Sequence, residues 1–501
     1  MKNLLTAKEM KSADENAQTL YHMPQSVLME RAALLVADEI CRIFPEDPVI
    51  GGLIGPGNNG ADALCACRIL KSRGKKVVYY LSPKARERLT GALLLQKSIA
   101  DAYHIPEVSS VSEFDGCSLL IDGLYGNGLS RALSQEDADI LRTAESFGSH
   151  IVAVDIPSGI SASDGSVCGY SMHADLTVTF AFEKAGHHLY PGRSFCGKVI
   201  CGDIGIPQEA LSGVQPPLRI LEKKDAAELL PKRDPAGNKK TFGHVLVIAG
   251  CSTICGAAMF STLAAYRTGA GLVCVVSSDN NRTPLMQSCP EALFLSRESR
   301  NFEESFHKAI AKADSILIGP GIGTDRDAKQ LLKTVFEDAQ VPVVLDADAL
   351  NLIAEDTSIL KRPHTELVLT PHMGEMARLS GESISYLKTH PVAAAEDFSR
   401  DFQVNLVLKD AVSYIAIPYR PTAINENGCD AMASGGSGDV LAGVIAGLIA
   451  QGLSPEDAAL LGPYLHGAAG SLAAESLGRS ELASDLCEAL SKVILSLTNM
   501  L

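Results

Sequence analysis

Short β-branched apolar runs, recurring between helical segments, constrain the fold of this chain more than any other feature. PVIGGLIG, KKVVYYL, CSLLID, HIVAVDIP, DLTVTFAF and GKVICGDIG fill the first 205 or so residues, each bounded by glycine or proline. Helical stretches such as ADALCACRILKSRG lie between them, and the terminal Gly74 suits a helix C-cap. The runs are continuously apolar rather than alternating, as strands of a mainly parallel sheet covered on both faces must be. PQEALSGVQPPLRI, from Pro207 to Ile220, interrupts the series with three prolines and predicts a linker. GHVLVIAG, GLVCVVS, DSILIGPG, PVVLDADAL, ELVLTP, VNLVLKD and YIAIP then repeat the pattern. The expectation is an α/β chain of two tandem doubly wound domains, residues 1–207 and 223–501, joined by a linker at 208–222. A length of 501 residues, too much for one core, agrees.

Charge and composition narrow the ligands. Lysine plus arginine number 44 against 59 aspartate plus glutamate, a net charge of -15 that disfavours nucleic acid and suits small-molecule ligands. MKNLLTAKEMKSADENAQTL lacks a continuous apolar core of the secretory kind. The longest apolar run, VLAGVIAGLIA, has 11 residues, too few to span a bilayer, so no membrane partner is expected. Thirteen cysteines without CxxC pairs predict reduced thiols and a cytoplasmic location.

In doubly wound sheets, ligands bind outside the carboxyl ends of the strands. Those ends carry GPGNNGAD (Gly55 to Asp62), IDGLYGNGLSRA (Ile121 to Ala132) and VDIPSG (Val154 to Gly159). The first is a glycine-rich turn into a helix, where free N–H groups and the helix dipole favour an anion such as a pyrophosphate. It is also the form of a plain tight βα connection. Asp122 and Asp155 either cap turns or face one crevice, where a cation held by oxygens would relieve their repulsion.

GPGNNGAD, IDGLYGNGLSR, VAVDIPSG and the later FEKAGHHLYPG, in this order, resemble the NAD(P)H-hydrate epimerase family over most of residues 1–207. The resemblance implies a Rossmann-like fold that binds damaged nicotinamide cofactor. It implies phosphate contacts from Asn58, Asn59, Gly60, Ala61 and Asp62, and from Gly126, Asn127, Gly128, Leu129, Ser130, Arg131 and Ala132. It also implies a potassium ion near Asn59, Asp122 and Ser158, with Asp155 at the altered ring and Lys184 as its acid–base partner. The family writes its first loop NNGGDG, where this chain has Ala61 and Ala63. If the first of these positions needs positive φ, alanine there costs roughly 1 kcal/mol.

In the second half MASGGSGDVLAG, Met432 to Gly443, leads into an apolar helix ended by Gly452. Gly435, Gly436, Ser437 and Gly438 would present backbone N–H groups at that helix's amino end, where they stabilise charge on a transferring phosphoryl group. Asp439, in the first turn, is placed to take a proton from an attacking hydroxyl. The blander role for Asp439 is to complement the helix dipole. Lys409 ends the strand VNLVLK, within reach of phosphates. HMGE has a metal-like i, i+3 pair, but a substrate contact by His372 is the preferred reading. Asp346 and Asp348 in DADAL suit a helix N-cap or a magnesium neighbour, the cap being favoured. His466 is expected to be a packed helix histidine.

GHVLVIAG, GAAMFSTLAAYRTGAGLV, GPGIG, VVLDADAL, LTPHMGE, LKDA and NGCDAMASGGSGDVLAG together resemble the ribokinase-like superfamily, and within it the ADP-dependent NAD(P)H-hydrate dehydratases. The resemblance implies ADP, or ATP, with Mg2+, along Lys409, Asp410, Ala411, Val412 and Ser413. The same ligand would continue along Cys429, Asp430, Ala431, Met432, Ala433, Ser434, Gly435, Gly436, Ser437 and Gly438. The hydrate would contact Ala257, Ala258, Gly323, His372 and Asp439. Asp410 replaces the family's glycine, and a carboxylate beside bound phosphate is repulsive by on the order of 1 kcal/mol when screened.

The combined reading is a repair enzyme for hydrated NADH and NADPH, an epimerase joined to an ADP-dependent dehydratase, expected as a homo-oligomer. The alternative is a ribokinase-like small-molecule or vitamin kinase behind a non-catalytic nucleotide-binding domain.

Overall fold

The computed structural model describes residues 1–46, 48–89, 91–129, 131–361 and 365–500. The chain divides into two compact units, Asn3–Leu218 and Arg219–Leu501 with Met1–Lys2.

Among the described residues, the first unit is built on a seven-stranded, all-parallel sheet. Its order is Glu107–Val108, Lys76–Leu81, Val49–Ile54, Leu119–Gly123, His150–Val154, Leu176–Phe180 and Lys198–Gly202. Helices Gln25–Ile43 and Asn58–Ser72 bury Leu28, Val36, Leu64 and Leu70 in the core on one face. Helix Gln135–Glu145 buries Ile140 and Leu141 in a second core cluster. Coverage on both faces explains why the strands read as unbroken apolar runs. The strand order reverses between Val49–Ile54 and Leu119–Gly123, which places the ligand crevice at the loops that follow them.

The second unit's sheet runs Thr422–Asn425, Ser413–Ala416, Asn405–Leu408, Leu367–Leu369, Val343–Leu345, Ser315–Ile318, His244–Ile248, Leu272–Ser277 and Leu293–Ser296. It reverses between His244–Ile248 and Ser315–Ile318, just before GPGIG. The pairings Asn405–Leu408 with Ser413–Ala416, and the latter with Thr422–Asn425, are antiparallel, so this sheet is mixed. Thr422–Asn425 and Leu293–Ser296 are strands that the sequence pattern does not announce. Helix Ser437–Ala450 is buried at every position from Val440 to Ala450, a central helix enclosed by its neighbours. It lies so close to helix Gly256–Thr268 that a Cβ on Gly443 would fall 2.3 Å from the Ser261 carbonyl oxygen.

The strain expected at Ala61 does not arise. Positive φ falls on Gly57 (86°), and Ala61 sits inside helix Asn58–Ser72 with its N–H on the Gly57 carbonyl at 3.2 Å.

Candidate functional site

A cavity of about 810 Å³ opens at the first unit's crevice. Asn58, Asn59 and Asp62 reach it from the start of their helix, and Tyr125 to Leu129 from the loop after Leu119–Gly123. Gln25 steadies the first of these, its Nε2 donating to Asn58 Oδ1 at 2.9 Å. Gly60 is buried against the loop, because a Cβ there would strike the Gly55 carbonyl oxygen at 1.9 Å. Ala61 is wholly buried in the core and does not line the cavity. Arg131 and Ala132 are exposed and do not line the cavity; Ser130 lies outside the described residues.

Asp155 and Lys184 meet in this cavity, 2.5 Å apart between Oδ1 and Nζ. Thr179 Oγ1 joins them, accepting from Lys184 at 2.6 Å and donating to Asp155 at 3.0 Å. Burial opposes ionisation of Asp155, but the charge and hydrogen bond of Lys184 outweigh it and hold its pKa below the usual value. His187 pins both partners. Its Nδ1 accepts the Lys184 backbone N–H at 3.1 Å, so Nε2 carries the proton and donates to the Asp155 carbonyl at 2.8 Å. That carbonyl belongs to a residue with φ of 70°, a strained value outside glycine. Burial and the Lys184 charge push the His187 pKa down to about 3, so the ring stays neutral.

Asp122 and Asp155 are not a facing pair. Asp122 is fully buried and accepts from Ser158 N (2.8 Å), Ser158 Oγ (2.6 Å) and Leu124 N (3.3 Å). Burial raises its pKa, and no basic side chain among the described residues offsets this. Asn59 Nδ2 is buried without a partner nearby, its Oδ1 lying 2.6 Å from where a Gly126 Cβ would sit. A buried carboxylate without a basic partner leaves a charge that a bound cation would offset.

The second unit's site forms around the amino end of helix Ser437–Ala450. Gly436, with φ of 97°, caps it, and Asp439 stands in the first turn. A Cβ on Gly438 would lie 3.3 Å from Lys409 Nζ, so an ammonium faces this helix end. Ser434 Oγ in the same loop is buried with no partner, an unmet donor where an anion would sit. These features fit a nucleotide phosphate. Lys409 Nζ binds Asp346 Oδ1 at 2.8 Å, and Thr370 Oγ1 donates to the same oxygen at 2.7 Å. Burial, then the charge of Asp346, push the Asp439 pKa up to about 7, against the opposing pull of Lys409. Burial also raises Glu375. Carboxylates that resist ionising together are relieved by a hard cation such as Mg2+.

Several residues have other duties than those expected. Neither Asp346 nor Asp348 is an N-cap: Ala347 holds that position, and Asp348 Oδ2 accepts from Gly323 N at 2.9 Å. His372 caps a different helix, Met373–Ser380, its Nδ1 accepting from Gly374 N (2.9 Å) and Glu375 N (3.2 Å). His372 N donates in return to Glu375 Oε2 at 2.9 Å, which explains the HMGE spacing as a capping box. The His372 side chain remains 55% exposed, with Nε2 3.3 Å from Glu375 Oε1. Ala258 is wholly buried in the core and contacts nothing from outside, whereas Ala257 packs beneath Gly321 of GPGIG. Asp410 and Ala411 are exposed, and the Val412 side chain is buried. Cys429 starts the short turn Asp430–Met432 that leads through Ala431 and Ala433 to the glycines. His466 is a helix histidine, but its Nε2–H reaches the Ser437 carbonyl at 2.9 Å and so holds the anion loop.

The second unit is ribokinase-like: a ribokinase-like superfamily protein from Enterococcus faecalis superposes on 56% of this chain and 96% of its own, with TM-score 0.51 and 31% identity. An ADP/ATP-dependent NAD(P)H-hydrate dehydratase from Bacillus subtilis, co-crystallised with ATP/Mg2+, covers 56% of this chain and 98% of its own (TM-score 0.50, 30% identity). Residues 245–492 match the family described as NAD(P)H-hydrate dehydratase, and residues 25–186 the YjeF-related protein N-terminus. The bifunctional NAD(P)H-hydrate repair enzyme of Moorella thermoacetica is 36% identical over 518 residues, 99% of this chain and 97% of its own. That of Escherichia coli is 33% identical over 488 residues, 97% and 92%. The chain belongs to the bifunctional NAD(P)H-hydrate repair enzymes. No described helix is long and apolar enough to cross a membrane.

Proposed function

We propose that this chain restores hydrated NADH and NADPH, the unit Asn3–Leu218 epimerising the hydrates and the unit Arg219–Leu501 dehydrating the S form with ADP or ATP. The observation that carries it is Asp439, a half-buried carboxyl with its pKa pushed up to about 7 beside an anion-binding helix end. A base poised there takes the proton of the hydrate's hydroxyl. The bound nucleotide, with Mg2+ beside Asp346 and Glu375, supplies the phosphoryl group that turns this hydroxyl into a good leaving group. The N–H groups from Gly436 to Asp439 bear the oxygen charge, and Lys409 holds Asp346 in place while adding its own. Gly323, Ala257 and His372 line the approach of the hydrate.

In the first unit, Asp155 and Lys184 sit at the altered ring, with the loops at Asn58–Asp62 and Gly126–Leu129 taking the phosphates. Asn59, Asp122 and Ser158 would hold potassium, whose charge offsets the buried Asp122 carboxylate. A homo-oligomer is the proposed assembly.

A mixture of both hydrate epimers with ADP and Mg2+ tests this by recovery of near-ultraviolet dihydronicotinamide absorbance. Complete recovery, faster than spontaneous epimerisation, is expected. A partial fast rise would remove the epimerase, and a persistent phosphoester without recovery would make the second unit a vitamin-type kinase.

A further inference from the structure

We propose that Asp14 is a further catalytic residue of the first cavity, its carboxyl donating the proton with which the hydrate's hydroxyl departs. This rests on the assignment of epimerisation to that cavity. Helix Ala7–Thr19 buries Met10, Ala13 and Ala17 and turns Asp14 to the cavity wall shared with Asp62, Asp155 and Lys184. The chain just before this helix is tied to the Lys184 segment. Leu5 N donates to the Glu183 carbonyl at 3.0 Å, and Ala185 N donates to the Leu5 carbonyl at 2.9 Å. The Asp14 carboxyl accepts no hydrogen bond among the described residues, so its protons and lone pairs are free for a ligand.

The Asp155–Lys184 pair by itself leaves the reaction short of an acid. Lys184 Nζ already donates to Asp155 (2.5 Å), Thr179 (2.6 Å) and the Phe180 carbonyl (3.4 Å), which engages all three of its protons. Asp155 is held ionised by the same contacts. Asp14 differs: burial pushes its pKa up to about 6, with Asp155 and Glu15 adding to the shift and Lys184 opposing it. Asp62 also faces it, and Lys8 and Lys11 lie on its own helix at the cavity.

The step balances. The ring nitrogen lone pair forms a C=N bond, the C–O bond breaks, and the oxygen takes the Asp14 proton to leave as water. Water then adds to the opposite face of the same carbon, the C=N pair returns to nitrogen, and the Asp155 carboxylate takes the proton. Exchange with solvent restores both acids.

The test follows one purified epimer of NADH hydrate, which lacks a 2′-phosphate that would titrate nearby, converted by the full chain without ADP. For the unmodified enzyme, kcat/KM should fall as pH rises through about 6, because the acid must be protonated. Asp14→Asn should lower kcat roughly a hundredfold or more and abolish that limb. Asp14→Glu should keep activity within about tenfold and keep the limb. Dehydration of the pure S hydrate with ADP should be unchanged in both, which checks the integrity of the rest of the chain. Asp14→Asn with near-normal kcat and an unmoved limb overturns the proposal, as does Asp14→Glu impaired as severely as Asp14→Asn. If Asp14→Asn fails to fold, the limb of Asp14→Glu decides alone. An unmodified enzyme that does not interconvert the epimers overturns the functional assignment itself, whatever Asp14 does.

Discussion

Asp155 Oδ1 accepts from Lys184 Nζ at 2.5 Å in a pair whose lysine side chain is only 1% exposed. Such a pair is held by its partners rather than by water, so the loss of one member leaves the other buried and charged. Asp155→Asn should therefore abolish epimerisation and also destabilise the first unit by about 3–5 kcal/mol. Adding Lys184→Met should recover most of that stability without restoring activity. Thermal melts alongside epimerisation assays separate the two effects, and an active double variant would remove Asp155 and Lys184 from the chemistry.

His187 joins the Lys184 backbone to the Asp155 carbonyl through its two ring nitrogens. His187→Phe keeps the ring and removes both bonds. Epimerisation should fall by at least about tenfold, since each lost buried bond costs about 1–3 kcal/mol. With its pKa pushed down to about 3, His187 should add no limb to the profile between pH 5 and 8. Dehydration measured on the same preparation should not change.

Asp439 carries both a kinetic and a stability prediction. As a base it must be ionised, so dehydration at saturating ADP should rise with pH through about 7, and Asp439→Asn should lose roughly two to four powers of ten. The stability effect has the opposite sign. The folded pKa is raised from 3.8 to about 7, so the folded state binds more protons over that window and loses stability as pH climbs through it. Asp439→Asn should melt several degrees higher than the parent at pH 8, a gap that closes towards pH 4. An equal gap at both pH values would contradict the assigned shift.

The His466 Nε2–H bond to the Ser437 carbonyl holds the first residue of the anion-binding helix. Burial keeps this histidine neutral, with its pKa pushed down to about 4. His466→Phe should raise KM for ADP by about tenfold, with a smaller change in KM for the hydrate. Initial-rate kinetics in both substrates measure this directly.

A Cβ on Gly123 would stand 2.2 Å from the Ala63 Cβ, at the position where the family's loop has glycine. Gly123→Ala should destabilise the first unit by about 1–3 kcal/mol through overpacking. Combining it with Ala63→Gly should recover part of the loss. Additive effects in denaturant melts would show that the two sites do not touch.

The reading of Ala61 shows where loop patterns mislead. A glycine replaced in a family motif suggests lost conformational freedom, yet this position lies in a helix where alanine is favoured. The turn's positive φ belongs to Gly57, one residue before the helix. Asp14 left a fainter signal: with Met10 and Ala17 it falls on the apolar stripe of helix Ala7–Thr19, where a carboxylate is out of place.

Most of the strands, their parallel pairing and the glycine-rich turns at their ends were determined by the sequence alone, because they rest on local chemistry. Continuous β-branched runs need cover on both faces, and glycines before an apolar helix need little beyond their neighbours. The antiparallel Asn405–Asn425 edge, the capping role of His372 and the binding of Lys409 to Asp346 were decided only by the tertiary structure. So was the meeting of Asp14 with Asp155 and Lys184 in one cavity. Lys409 and Asp346 are 63 residues apart, and burial and charge at that range depend on which strands become neighbours. No window of sequence contains that information, and it sets the pKa values on which the chemistry depends.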